Sequence, residues 1–165
     1  MSDSMLGDAA PAEGQEAPDF ELPNQFGEPV RLSSLRGKPV VVLFFPFAFS
    51  GICTSELCEI RDNWAPFADV DAHVLAVSVD SKFALRAFAE AEGYDFDLLA
   101  DFWPHGEVAR RFGVFDEGSG MALRGTFILD AEGIVRYSIV NPRGQARSLA
   151  EYREALAAVS AGVRS

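Results

Sequence analysis

Val40-Val-Val-Leu-Phe-Phe45 is an unbroken β-branched and aromatic run, and Pro46 follows it at once. An apolar run without polar alternation fits a strand covered on both faces. Proline has no amide hydrogen to give a ladder and ends it. A second run of this kind spans Val74 to Val79. Between the two, Leu57, Ile60, Trp64 and Phe67 recur at i, i+3, i+7 and i+10, which marks one face of a helix.

Working outward, Asp19-Phe-Glu-Leu22 and Val30-Arg-Leu32 alternate around Asn24-Gln-Phe-Gly27, consistent with a short hairpin. Downstream, Ser81 caps a helix that Gly93 stops. Phe96 to Ala100 reads as a short strand, and Val108 with Phe112 as a brief helix ended by Gly113. Thr126 to Leu129 and Ile134 to Ile139 flank Asp130-Ala-Glu-Gly133, a hairpin turn. Ser148-Leu-Ala-Glu151 is a capping box that opens a last helix with Leu149, Tyr152, Leu156 and Val159 inward. His73 is expected to open a strand and His105 a short helix. The order is hairpin, β, α, β, α, β, α, β-hairpin, α. It implies a layered α/β sandwich closed by an antiparallel hairpin. Residues 1–16 read as a flexible leader and 17–165 as a single domain.

The chain has 165 residues, 48% of them hydrophobic, with 14 phenylalanines, so a packed core is expected. A net charge of −11 disfavours general nucleic-acid binding and repels anionic membrane surfaces. Met1 to Glu13 lacks the basic and apolar parts of a signal peptide. No stretch approaches the roughly 18 apolar residues of a membrane span. The expectation is a cytoplasmic protein, where two cysteines are packing residues or redox actors and not a permanent disulfide.

Cys53 lies seven residues past Pro46, where a strand gives way to a helix. Unpaired N–H groups and the positive end of a helix dipole stabilise a thiolate there. Position alone fits a nucleophile and a buried packing residue equally well. Cys58 follows at a spacing that is not C-x-x-C, which argues against a thioredoxin-type oxidoreductase. Two cysteines with His73 and His105 far apart give no metal-ligand spacing. In a helix, Cys53 shares the stripe of Leu57 and Ile60, whereas Cys58 lies about 140° away, with Arg61 and Asp62. The two Cα atoms would stand roughly 8.7 Å apart, beyond the about 7 Å a disulfide tolerates. A bond between them needs local unwinding.

Pro46-Phe-Ala-Phe-Ser50-Gly-Ile-Cys53 resembles the peroxiredoxin motif Pro-x-x-x-Thr/Ser-x-x-Cys at every defining position. The resemblance extends to Ala17-Pro-Asp-Phe20, Leu35-Arg-Gly-Lys38 and Arg124-Gly-Thr-Phe127, and covers about residues 12 to 160. Asp101-Phe-Trp-Pro-His-Gly106 and Gly113-Val-Phe115 look like the alkyl hydroperoxide reductase E branch. The resemblance implies a thioredoxin-like three-layer sandwich with a central mixed sheet and an N-terminal β-hairpin extension. It implies a thiol-dependent peroxidase for hydrogen peroxide, organic hydroperoxides and peroxynitrite, with no metal, haem or flavin. By the same resemblance, the Cys53 thiolate would attack the peroxide, the Ser50 hydroxyl, the Cys53 backbone N–H and Arg124 would donate to its oxygens, and Pro46 would shield the thiol. The Cys-x4-Cys spacing resembles the bacterioferritin-comigratory (Q) type, in which Cys58 would be the resolving cysteine, through an intramolecular disulfide reduced by a thioredoxin-like protein. The alternatives are a one-cysteine mechanism, resolved by a small thiol or a mycoredoxin- or glutaredoxin-like partner, and a redox sensor that keeps the fold without turnover. A homodimer is expected, with the Trp103-Pro104-His105 loop near its interface. Phe47 and Phe49 suit an apolar entrance or core packing equally.

Overall fold

The computed structural model describes residues 11–49, 57–58, 60–62, 72–141 and 154–158. At its centre is β3 (Val40–Phe44), every residue of which is buried. It pairs in parallel with β4 (His73–Ser78) and antiparallel with β8 (Arg124–Leu129). Beyond them lie β5 (Asp97–Ala100), parallel to β4, and β9 (Val135–Asn141), antiparallel to β8. The five-stranded mixed sheet thus runs β5-β4-β3-β8-β9.

The pleat sends alternate side chains to opposite faces, so one apolar run feeds two cores. Val40, Val42 and Phe44 join Phe20, Leu22, Val108, Phe112 and Phe127 on one face. Val41, Leu43 and Phe45 join Leu57, Ile60, Leu85, Phe88 and Ile128 on the other. The resulting three layers match the expected sandwich. The first face is covered by the hairpin β1 (Glu21–Pro23) and β2 (Pro29–Arg31), and by the short helix α2 (Glu107–Arg111). The second is covered by α1 (Lys82–Glu92) and by the helical residues Leu57, Cys58 and Ile60 to Asp62. Leu57 and Ile60, the first two members of the sequence stripe, are fully buried; Trp64 and Phe67 lie outside the described residues. Helical residues 154–158 add Ala155 and Leu156 to the same core. The Ser148-to-Glu151 capping box and Leu149, Tyr152 and Val159 are outside the described residues.

The local signals for α1 act as the sequence suggests. Ser81 Oγ accepts from Ala84 N, and Gly93 closes the helix at φ 73°, a conformation that costs glycine little. Four differences stand out. Leu32 opens a 3-10 turn (Leu32–Leu35) and does not extend β2. Phe115–Asp116 (β6) and Met121–Ala122 (β7) form a two-stranded hairpin too short to leave a period. His105 belongs to a turn, because Gly106 at φ 71° delays α2 to Glu107. Residues 14–16, read as leader, hydrogen-bond to the β8–β9 hairpin. Gly14 N reaches Val135 O at 2.7 Å, Val135 N reaches Gln15 O at 2.9 Å, and Glu16 bridges Ile134.

Candidate active site

The end of β3 is tied down step by step. Phe45 N donates to Val77 O at 3.0 Å, which keeps the chain beside β4 for one more residue. Pro46 is buried next. Ala48 N then donates to Asp80 Oδ2 at 2.7 Å, and the same oxygen accepts from Ser78 Oγ at 2.7 Å. Phe49 has φ 67°, unusual for a residue with a bulky side chain. Its ring packs on Phe88 with centroids 4.9 Å apart, which offsets part of that strain. Non-glycine residues in this region of backbone space gather at functional sites. Ser50 and Cys53 follow directly and lie outside the described residues; helical geometry is again described at Leu57.

Arg124 is brought to the same end of the sheet. Its strand pairs Phe44 with Gly125, so residue 124 falls one step further along, level with Phe45 and next to Pro46. Two-residue alternation puts Arg124 on the face of Ile128, in the layer that holds Leu57 and Ile60. A guanidinium is permanently charged, and this one is almost wholly buried, at 6% exposure. Of the sequence-predicted site residues, strand register thus brings Pro46 and Arg124 to the same end of the sheet, from which the chain runs on toward Ser50 and Cys53.

Cys58 is held elsewhere. It is half-buried and packs on the second core beside the C-terminal end of α1, turned from the Leu57 stripe toward Glu92 and Tyr94. Its Sγ lies 3.4 Å from Glu92 Oε1, to which the thiol donates, and 3.4 Å from the Tyr94 hydroxyl. Burial, and then the bond to the thiol, push the Tyr94 phenol well above its ordinary range. Arg61 closes the group. It donates to the Glu92 backbone carbonyl, its guanidinium carbon stands 6.0 Å from the Tyr94 ring centroid, and its Nε binds Asp62 at 2.8 Å.

On the other side of β4, β5 delivers Asp101, which is buried. Its carboxylate accepts from Val108 N at 3.1 Å and from Ala109 N at 2.9 Å, fixing the start of α2. Burial pushes this carboxyl up to about 6, against the opposing pull of the two N–H donors. Phe102 and Trp103 stand exposed beyond it and, with Phe83 and Pro23, line a cleft of about 260 Å³. The contacts of Asp80, Glu92, Tyr94 and Asp101 are ones that sequence reading passes over. For Asp80 and Asp101 a signal existed: each carboxylate lies within two residues past a buried parallel strand, at the carboxyl edge where open α/β sheets build sites.

A mixed five-stranded sheet between two helical layers, with a cysteine segment leaving the central strand beside a buried arginine, defines a thioredoxin-like thiol enzyme. Residues 13–138 match the AhpC/TSA family, and the chain belongs to that family, the peroxiredoxins. It is 43% identical to alkyl hydroperoxide reductase E of Mycobacterium tuberculosis, over 90% of this chain and 97% of the relative. It is 34% identical to the chloroplastic 2-Cys peroxiredoxin BAS1 of Spinacia oleracea, over 92% of this chain and 61% of that protein. Among solved structures, peroxidoxin BcpB of M. tuberculosis superposes with a TM-score of 0.80 at 36% identity, covering 94% of this chain and 99% of the other. AhpC of Enterococcus faecalis does so with a TM-score of 0.83 at 33% identity, covering 93% and 95%. The protein is a thiol-dependent peroxidase of the alkyl hydroperoxide reductase E branch.

Proposed function

We propose that Cys53 is the peroxidatic residue and that hydrogen peroxide and organic hydroperoxides are its substrates. The Cys53 thiolate attacks one peroxide oxygen; the S–O bond forms, the O–O bond breaks, and the other oxygen leaves as hydroxide or alkoxide. Cys53 is thereby oxidised to the sulfenic acid and the peroxide reduced. Charge moves along the O–O axis, so donors must stand ready at both ends. Arg124 and the Ser50 hydroxyl take that role, and Pro46 keeps water away without offering an N–H. The observation that carries this reading is that strand register brings buried Arg124 to the end of β3, where buried Pro46 opens the segment that leads to Cys53. Half-exposed Phe47 and Phe49 support an apolar approach for organic hydroperoxides, as does the name of the 43%-identical relatives.

Cys58 resolves the sulfenic acid as an intramolecular disulfide, which a thioredoxin-like or a mycoredoxin- or glutaredoxin-like protein then reduces. The exposed aromatics Phe83, Phe102 and Trp103 support a homodimer. No described helix is long and apolar enough to cross a membrane. Stopped-flow kinetics with Cys53→Ser, Cys58→Ser and the parent chain test the scheme. Cys53→Ser is expected to abolish peroxide reduction, and Cys58→Ser to keep the first oxidation while losing the crosslink seen by mass spectrometry. A Cys53 that titrates as an ordinary thiol and reacts no faster than free cysteine would overturn the assignment. If oxidation halts after one equivalent of peroxide with every candidate reductant present, the protein is a sensor.

A further inference from the structure

The contacts around Cys58 have no part in attack on peroxide, yet they are specific. The thiol donates to Glu92 Oε1 and faces the Tyr94 hydroxyl, both at 3.4 Å. Arg61 binds the backbone carbonyl of Glu92, which is one of the C-terminal carbonyls that α1 leaves without an intrahelical partner. Its guanidinium also lies against the Tyr94 ring. Tyr94 is anchored in turn, edge-on to Phe88 at 5.2 Å and stacked on Phe96 at 5.2 Å. The grip is therefore built on the rigid second core, and it exists only while Cys58 and Arg61 sit in their helix.

By spacing, that helical placement turns Cys58 about 140° from the stripe on which Cys53 falls, and it packs Cys58 against the second core beside Tyr94. A contact made in one conformation and absent from another shifts the balance toward the first by its own free energy. We infer that Glu92, Tyr94 and Arg61 are positioning residues for the resolution step, a latch that holds Cys58 retracted and so sets how long the Cys53 sulfenic acid persists. This rests on the reading of Cys58 as the resolving cysteine. In the step so controlled, Cys58 Sγ attacks Cys53 Sγ. The S–S bond forms, the S–O bond breaks, and the hydroxyl departs with the Cys58 proton as water. The oxidising equivalents are those already taken from the peroxide. While the latch is closed, a second peroxide can instead carry the sulfenic acid to sulfinic acid.

Tyr94→Phe removes the hydroxyl and keeps the ring, and Glu92→Gln replaces the carboxylate that accepts the thiol's hydrogen bond by a weaker, neutral acceptor. Stopped-flow fluorescence with hydrogen peroxide separates oxidation of Cys53 from disulfide formation, and mass spectrometry counts Cys53–Cys58 crosslink against sulfinic acid. Each variant is expected to leave the first phase unchanged and to speed the second by roughly two- to tenfold, the worth of one net hydrogen bond. The peroxide concentration that inactivates half the enzyme is expected to rise by a similar factor. A second phase that is unchanged, or slowed, in both variants overturns the latch; slowing makes Glu92 a proton acceptor in the resolution step. Absence of any crosslink in the parent chain overturns the Cys58 reading itself, and the latch with it. Circular dichroism confirms that each variant is folded, and the two substitutions act independently, so a misfolded one leaves the other to decide.

Discussion

The segments that leave β3 and β5 begin alike and end differently. Each first residue past the strand donates to β4, Phe45 N to Val77 O and Asp101 N to Ser78 O at 2.8 Å. Each segment is then fastened by a carboxylate that accepts backbone N–H groups. Asp101 is buried, uses one oxygen for each of two donors, and starts α2. Asp80 is half-buried and uses one oxygen for both Ala48 N and Ser78 Oγ. The β5 exit is a fixed corner of the core. The β3 exit, which runs toward Cys53, has a lighter fastening, two exposed phenylalanines and a strained Phe49. One device serves structure when buried and positioning when partly wet.

The largest expected effect is at the buried corner. Asp101→Ala leaves Val108 N and Ala109 N without an acceptor in a site closed to water, at a cost of about 3 kcal/mol. That is a large fraction of the roughly 5–15 kcal/mol that holds a domain of this kind together. Asp101→Asn retains an acceptor oxygen and removes a charge that burial disfavours, so it is expected to cost less than half as much at neutral pH. Urea denaturation of the two variants checks the pair. Equal losses would mean that the corner depends on charge and not on accepting hydrogen bonds.

The same carboxyl sets a pH response of intermediate size. Its folded pKa, about 6, lies above the ordinary 3.8. Between those values the folded state binds more protons than the unfolded one, so Asp101 makes the protein more stable as pH falls through 6. The gain is about 1 kcal/mol between pH 7 and 5. Asp19 and Asp130 have lowered values, from hydrogen bonds to Ser33 and Ile134 among others that outweigh burial. Their contribution is lost only below the unfolded carboxylate range, well outside this window. Subtracting the Asp101→Asn profile from that of the parent chain isolates the effect. A flat difference between pH 7 and 5 would remove burial as the cause.

Much of the fold was open to inspection in the chain because its signals are local. The Val40-to-Phe45 run carries its two-sided burial in its own composition, and Ser81 and Gly93 bracket a helix whose caps are side-chain and backbone chemistry at known offsets. The β6–β7 hairpin escaped because two-residue strands have no period to read. The site divides along the same line. Pro46 and Arg124 are marked by motif, and strand register then brings them together. Ser50 and Cys53 rest on motif alone, outside the described residues. Tyr94 and Glu92 meet Cys58 across more than thirty positions of chain, and no spacing in the sequence signals a contact made by packing two helices. The 140° offset set Cys58 off the Leu57 stripe, yet Cys58 still packs against the same core through Tyr94, a contact that no offset signals.

The smallest expected effect on stability falls at the lighter fastening, and it is the most informative about activity. Asp80→Asn keeps an oxygen for either Ala48 N or Ser78 Oγ and weakens a charge-assisted pair of bonds to ordinary ones, a loss of about 1 kcal/mol. Because Ala48 is two residues from Ser50, release of its N–H loosens the turn at Phe49 and with it the approach of the Ser50 hydroxyl to peroxide. A misplaced donor raises the barrier with little change in folding. The variant is expected to lower kcat/KM for hydrogen peroxide by roughly tenfold, a loss of about 1.4 kcal/mol of transition-state stabilisation. Asp101→Asn, remote from that turn, is expected to leave kcat/KM unchanged. If Asp80→Asn reduces stability and rate in the same proportion as Asp101→Asn, the two exits are equivalent scaffolding, and Asp80 has no distinct part in holding the cysteine segment.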